Sequence, residues 1–187
     1  MSNEPKLNGF EDFVVGACNR FAFIASLSII NNPEDIKWNT LLLWGSTGQG
    51  KTHLLKSMEK NLIQNFPEKK VKYVTADEFT NEFIATIQNG QYDDFRNTYR
   101  KLDYLLFDDV ECLENKNGVQ TEFYNTVVAL LDSGKYLVVT TNRMPRDLDD
   151  ILNPTLSARL ISGVMFEVEP LDPETRRKIA LKNNDGS

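Results

Sequence analysis

Apolar residues along the chain come in short dense runs, separated by longer stretches in which they recur every three or four positions. The runs Thr40 to Trp44, Val71 to Thr75, Tyr104 to Phe107, Tyr136 to Thr141 and Val164 to Val168 are rich in β-branched, aromatic or leucine residues and are predicted to be strands. Between them, Leu55, Met58, Leu62 and Phe66 fall on one helical face, as do Phe123, Val127, Leu130 and Leu131. Gly134 is placed to end the second of these helices. Asp172-Pro173-Glu174 opens a last helix with a capping carboxylate, a first-turn proline and a charge that suits the helix dipole. Strands alternating with helices predict an α/β fold, a five-stranded parallel sheet flanked by helices on both faces. One core over residues 9–182 is expected, with polar, disordered tails at 1–8 and 183–187 and neither internal repeats nor low-complexity tracts.

The first strand runs directly into Gly45-Ser46-Thr47-Gly48-Gln49-Gly50-Lys51-Thr52, and a helical pattern starts at His53-Leu54-Leu55. This is the G-x-x-x-x-G-K-[ST] phosphate loop. Its glycines let the backbone take positive φ and turn amides inward, forming an anion nest at a helix N-terminus. Gly45, Thr47, Gly48, Gln49, Gly50, Lys51, Thr52 and His53 are therefore the candidate contacts to ATP or ADP. Lys51 is expected on the β and γ phosphates, and the Thr52 hydroxyl on a Mg2+ ion that keeps several waters.

The third strand ends Leu105-Leu106-Phe107-Asp108-Asp109, delivering two acids at the carboxyl edge where open parallel sheets bind ligands. In this Walker B pattern Asp108 is expected to hold the metal through water, and Asp109 to orient or deprotonate the attacking water. Either acid could instead cap the turn after the strand. The fourth strand ends Thr140-Thr141-Asn142-Arg143. If it lies between the first and third, Asn142 comes beside the γ phosphate and could hold the lytic water; the alternative is a turn-former after a strand.

Composition narrows the setting. The 187 residues fit one domain that needs no staples. Cys18 and Cys112 are the only thiols, which suits a reduced compartment, and His53 is the only histidine, which argues against zinc. No secretory leader or membrane-length apolar run is present, so a cytoplasmic location is expected. A net charge of −6 argues against gripping duplex DNA by charge alone.

The phosphate loop, double-acid strand and polar fourth-strand terminus together resemble the AAA+ ATPases. Finer strings are similar to the ATPase domain of bacterial DnaA replication initiators. They are Phe13-Val14-Val15-Gly16, Asn19-Arg20-Phe21-Ala22, Gly50-Lys51-Thr52-His53-Leu54-Leu55, Phe79-Thr80-Asn81-Glu82-Phe83, Phe95-Arg96-Asn97-Thr98-Tyr99-Arg100 and Gly118-Val119-Gln120-Thr121-Glu122-Phe123. The resemblance covers about Phe10 to Lys182 and implies an ATP-switched module that assembles on itself or on other AAA+ initiator subunits at a replication origin, with slow hydrolysis. It implies that Val14, Val15 and Asn19 border the adenine, although plain apolar packing would equally explain the two valines. It implies that Arg159, in Leu156-Ser157-Ala158-Arg159-Leu160, is an arginine finger reaching a neighbour's ATP, a task suited to a charge that meets phosphate bidentately. An ordinary surface arginine is the alternative.

Initiators insert a helical pair between strands two and three, and 76–100 has the length for it, with Phe79, Phe83, Ile84 and Ile87 on one face and Phe95 and Tyr99 on another. By resemblance, Ile84 and Lys116 match residues that bind single-stranded DNA along the inside of a filament. Core packing of Ile84 and solvation of Lys116 are the competing readings. Gly118 stands where many members carry a further basic residue. Within these 187 residues neither a lid domain with its sensor arginine nor a duplex-reading helix-turn-helix is expected, nor a helicase-recruiting domain. Leu42-Leu43-Trp44, Val110-Glu111-Cys112-Leu113 and Asn153-Pro154-Thr155-Leu156-Ser157-Ala158-Arg159-Leu160 look more like the regulatory paralogue Hda, which switches initiators off, and a helicase-loader-type AAA+ protein shares the same fold.

Overall fold

Successive strand residues face opposite sides of a sheet, and the central strands here carry apolar residues at consecutive positions, Leu41 to Leu43, Leu105 to Phe107 and Leu137 to Val139, so both sides must be covered. A computed structural model of the protein describes residues 8–31 and 37–185. Its strands are β1 (Thr40–Trp44), β2 (Val71–Thr75), β3 (Tyr104–Asp108), β4 (Tyr136–Thr141) and β5 (Val164–Glu167), all parallel and ordered β2-β3-β4-β1-β5. Leu42, Leu105, Phe107, Leu137 and Val139 point to one side, where they meet α3 (Ala76–Asn89), α4 (Tyr92–Arg100), α5 (Asn117–Asp132) and α6 (Pro154–Ile161). Leu41, Leu43, Leu106 and Val138 point to the other, against α1 (Arg20–Asn31) and α2 (Lys51–Asn65). A last helix, α7 (Pro173–Asp185), follows β5.

The anticipated elements are present, with adjustments at their ends. β3 extends one residue further, to Asp108, because that residue pairs with Thr75 of β2. β5 stops at Glu167 rather than Val168, although the Val168 amide still donates to Trp44 O at 2.8 Å. The α5 helix closes where Gly134, at φ +67°, donates to Leu131 O at 3.0 Å. Asp172 accepts from the Thr175 amide at 2.9 Å, so the capping carboxylate starts α7 as anticipated. That helix continues through Asp185, into the segment expected as a tail, while 1–7 and 186–187 lie outside the described residues. Helices α1 and α6 and the 3-10 turns Val110–Leu113 and Pro145–Asp150 have no counterpart among the expected elements. Among the described residues no helix is long and apolar enough to cross a membrane.

Between β2 and β3, residues 76–100 form the two helices α3 and α4. Thr75 and Glu78 make a capping box at the start of α3, and Phe79 anchors the pair, its ring centroid 5.3 Å from Phe95, 4.9 Å from Tyr99, 5.5 Å from Phe107 and 5.5 Å from Phe123. Ile84 and Ile87 are not part of that core; they remain 44% and 48% exposed, one helical step away from the buried Phe79 and Phe83 face.

Candidate nucleotide-binding site

β1 is pinned between β4 and β5, so the glycine loop departs from a fixed point at Trp44. A Cβ at Gly45 would stand 2.3 Å from Val168 O, so no side chain fits there. Gly50 has open space around it, and its requirement is conformational: at φ +95° and ψ +12° it is left-handed, turning the chain into α2. The first turn of α2, whose amides have no intrahelical acceptors, then borders a hollow of about 600 Å3 lined by Thr47, Gly48, Gly50, Lys51, Thr52, His53, Lys56 and Asp109. The Lys51 ammonium donates to Gly45 O at 2.5 Å and Ser46 O at 3.0 Å, bracing the loop from inside. Burial lowers the Lys51 pKa, opposed by the charges of Glu111, Asp109 and Asp108.

A second hollow of about 270 Å3 adjoins the first and shares Gly48, Gly50 and His53 with it. Its lining includes Phe13, Val14 and Asn19 from the N-terminal segment, Leu171 from the stretch before α7, and Ile179 and Lys182 of α7. Asn19 is buried, and its side chain accepts from Gly16 N and donates to Val14 O, both at 2.9 Å, so it shapes the wall. Val15 is 38% exposed and lines neither hollow. Nothing in the local pattern tied Leu171, Ile179 or Lys182 to the loop; only the packing of α7 does. That packing rests on Gly16, where an added Cβ would lie 1.7 Å from Thr175 Oγ1, a hydroxyl already locked onto Asp172 at 2.6 Å. Gly16→Ala is therefore expected to cost about 1–3 kcal/mol by overpacking and to weaken nucleotide binding, measured by thermal melting and titration. Wild-type values for both would show that α7 does not depend on this contact.

The two acids are handled differently. Asp108 is 1% exposed; one oxygen accepts from the Thr140 hydroxyl and the other from the Tyr73 phenol at 2.8 Å. Burial and the adjacent Asp108 push the Tyr73 phenol up, so it stays a proton donor. Asp109 turns out of the strand in a left-handed conformation, φ +58°, its amide donating to Thr140 Oγ1 at 2.9 Å, and its side chain reaches the wall of the larger hollow. Burial, then the charges of Asp108 and Glu111, raise its carboxyl to about 6. Since β4 does lie between β1 and β3, Asn142 leaves the sheet at the same edge; its backbone N–H donates to Glu111 Oε1 at 3.1 Å and the residue is exposed. Glu111 is a third carboxylate at this edge that the motifs did not single out, and its other oxygen is buried without a hydrogen-bond partner.

The family model described as "Bacterial DnaA ATPAse domain" matches residues 5–167. The chain belongs to this family. It is 41% identical over 174 residues to the chromosomal replication initiator protein DnaA of Thermotoga maritima, covering 92% of this chain but only 39% of that protein, so it spans well under half of the relative's length. Domain III of the Thermotoga maritima DnaA crystal structure superposes with a TM-score of 0.87 at 39% identity, covering 99% of this chain and 76% of that one. A DnaA structure described as bound to AMPPCP and single-stranded DNA gives a TM-score of 0.86 at 31% identity, covering 100% of this chain and 56% of that one.

Three residues singled out by likeness to DnaA lie away from both hollows. Arg159 sits on α6 and donates to Asp132 of α5 at 3.0 Å, beside a cleft with Tyr124 and Ser162; its Nε is buried without a hydrogen-bond partner. Ile84 is on the outer face of α3. Lys116 precedes α5 and pairs with Asp77 at the start of α3 at 2.9 Å, on the same side of that helix as Ile84 seven positions on. The core-packing reading of Ile84 does not hold in this DnaA-type fold, because Phe79 and Phe83 occupy the core-facing positions.

Proposed function

We propose that the chain is the ATP-binding switch module of a DnaA-type initiator. The observation that carries the reading is the pair of joined hollows straddling one glycine loop, the larger edged by Lys51, Thr52 and Asp109 and the smaller by Phe13, Val14, Leu171 and Ile179 together with polar side chains such as Asn19, His53 and Lys182. That pairing suits a nucleotide, with anionic phosphates at a helix N-terminus and a flat base in a slot that offers both apolar faces and polar edges. Phe13, Val14, Leu171 and Ile179 would take the base. Lys51 and the α2 amides would take the β and γ phosphates.

Thr52 and, through water, Asp108 would hold Mg2+, which when bound neutralises phosphate charge. The donor set fits that ion: hard oxygens from one carboxylate and one hydroxyl suit a cation that keeps its waters, and among the described residues no cluster of three or more His, Cys, Asp or Glu side chains cages a metal. Asp109 and Asn142 are the groups that would orient water for attack on the γ phosphorus, the bond to the β–γ bridging oxygen breaking to leave ADP and phosphate. A carboxyl held near 6 can accept the water's proton close to neutral pH. Arg159, outside its own site, is available to complete a neighbour's. In the resulting filament Ile84 and Lys116 would form a repeated apolar and basic track for single-stranded DNA.

The test is size-exclusion and single-strand binding with ATP and Mg2+ against ADP. ATP-dependent assembly with co-assembly of an oligonucleotide is expected; nucleotide binding without either would instead support a regulator acting on an initiator partner. Failure to bind adenine nucleotides at all would end both readings.

A further inference from the structure

Asp108 is a carboxylate at 1% exposure, and among the described residues no salt bridge pairs it with a Lys or Arg side chain. A buried charge in that position needs hydrogen bonds to be tolerated. They come from the two strands that flank β3. On one side β4 supplies Thr140, whose hydroxyl donates to Oδ1 and whose oxygen in turn accepts the Asp109 amide at 2.9 Å. On the other, β2 supplies Tyr73. Tyr73 lies opposite Leu106, two residues before Asp108, so its long side chain reaches diagonally along one face of the sheet to Oδ2 at 2.8 Å. Its ring is packed against the Leu106 and Val138 side of the core and lies 5.4 Å beneath the ammonium of Lys56, a residue on the wall of the phosphate hollow.

With one donor on each oxygen the carboxylate cannot rotate without breaking a bond, and each oxygen keeps one further lone pair. We propose that Tyr73 is a positioning residue for metal-dependent nucleotide binding, its phenol working with Thr140 to hold the Asp108 carboxylate in the orientation that accepts from a magnesium-bound water. The proposal rests on the reading of Asp108 as the metal-holding acid. Outer-shell hydrogen bonds of this kind orient a ligand rather than contact the ion, and losing one characteristically weakens metal affinity. The phosphate-loop motif cannot reveal this partner, since Tyr73 reads as an ordinary strand aromatic.

Tyr73→Phe removes one O–H while keeping the ring, its core contacts and its place under Lys56. The full chain, wild type and variant, is titrated with a fluorescent ADP analogue in EDTA and across a magnesium series, and Mn2+ binding to the ADP-loaded protein is followed by electron paramagnetic resonance. The expected result is a half-saturating metal concentration raised about tenfold, with metal-free nucleotide affinity near wild type and a melting temperature lowered by several degrees, since one buried carboxylate oxygen loses its donor. Thr140→Val, which breaks the opposite side of the clamp, is expected to raise the metal requirement likewise, with a larger drop in melting temperature because the Asp109 amide also loses its acceptor. An unchanged metal series in a folded Tyr73→Phe protein overturns the proposal. Equal weakening with and without metal also overturns it, showing the phenol to be merely structural. Wild-type protein whose nucleotide binding ignores magnesium would instead refute the Asp108 assignment beneath it, an outcome read before any variant is made.

Discussion

Lys51→Ala is expected to weaken ATP and ADP binding by at least ~100-fold while leaving the domain folded. A hydrogen bond from a charged donor contributes about 1.5–3 kcal/mol, and here the same ammonium also braces the loop through Gly45 O at 2.5 Å and Ser46 O at 3.0 Å. Both the contact to phosphate and the shape of the cradle would go. Folding should survive because the folded state does not favour this charge. Burial lowers the Lys51 pKa from 10.5, so the folded chain holds the proton less tightly than the unfolded chain does. By linkage the charged lysine is a penalty at neutral pH, and it is relieved as pH rises through the lowered folded value toward 10.5. Isothermal titration beside a thermal melt checks both halves. Retained nucleotide affinity in the variant would remove the phosphate loop from the binding site.

Arg159→Ala is the second large effect, and it separates binding from assembly. In the single chain, nucleotide affinity is expected to stay within about twofold, because the Arg159 side chain lines neither hollow. The loss of stability should also be small: the Arg159 pair with Asp132 has side chains 37% and 66% exposed, and exposed pairs contribute at most about 1 kcal/mol. ATP turnover in the assembled state, however, is expected to fall on the order of 10³-fold, the contribution of a guanidinium that meets developing charge on a transferred phosphoryl group. Mixing Arg159→Ala with Lys51→Ala protein supplies the decisive arm. If the arginine works in trans, a Lys51→Ala subunit with intact Arg159 restores turnover to its Arg159→Ala neighbour. Parallel loss of affinity and turnover in the Arg159 variant alone would place the arginine in its own subunit's site.

The residues that could be read in the chain are those whose role is settled within a few neighbours. The phosphate loop is one such case: its glycine conformations, the lysine that follows and the helix it opens are contiguous, so the pattern at Gly45 to Thr52 specifies its own geometry. Asp108 and Asp109 are legible for a similar reason, since an apolar strand ending in acids must place them at the sheet's carboxyl edge. Ile84 was ambiguous. On the helical pattern it sits one position from the buried Phe83, and adjacent helical residues diverge by about 100°, too little for periodicity alone to assign it to core or surface.

From the sequence alone came a parallel α/β fold, a nucleotide cradle and a family resemblance, because local backbone demands and strand-helix alternation survive without knowledge of what packs where. Tertiary structure decided the rest. The order β2-β3-β4 brings Tyr73 and Thr140 to either side of Asp108, and the return of the chain through Leu171 and α7 to the N-terminal segment brings Leu171, Ile179 and Lys182 to the smaller hollow. Those contacts join segments far apart along the chain, and their partners are chosen by sheet order and by close approaches such as Gly16 against Thr175, which no local pattern encodes.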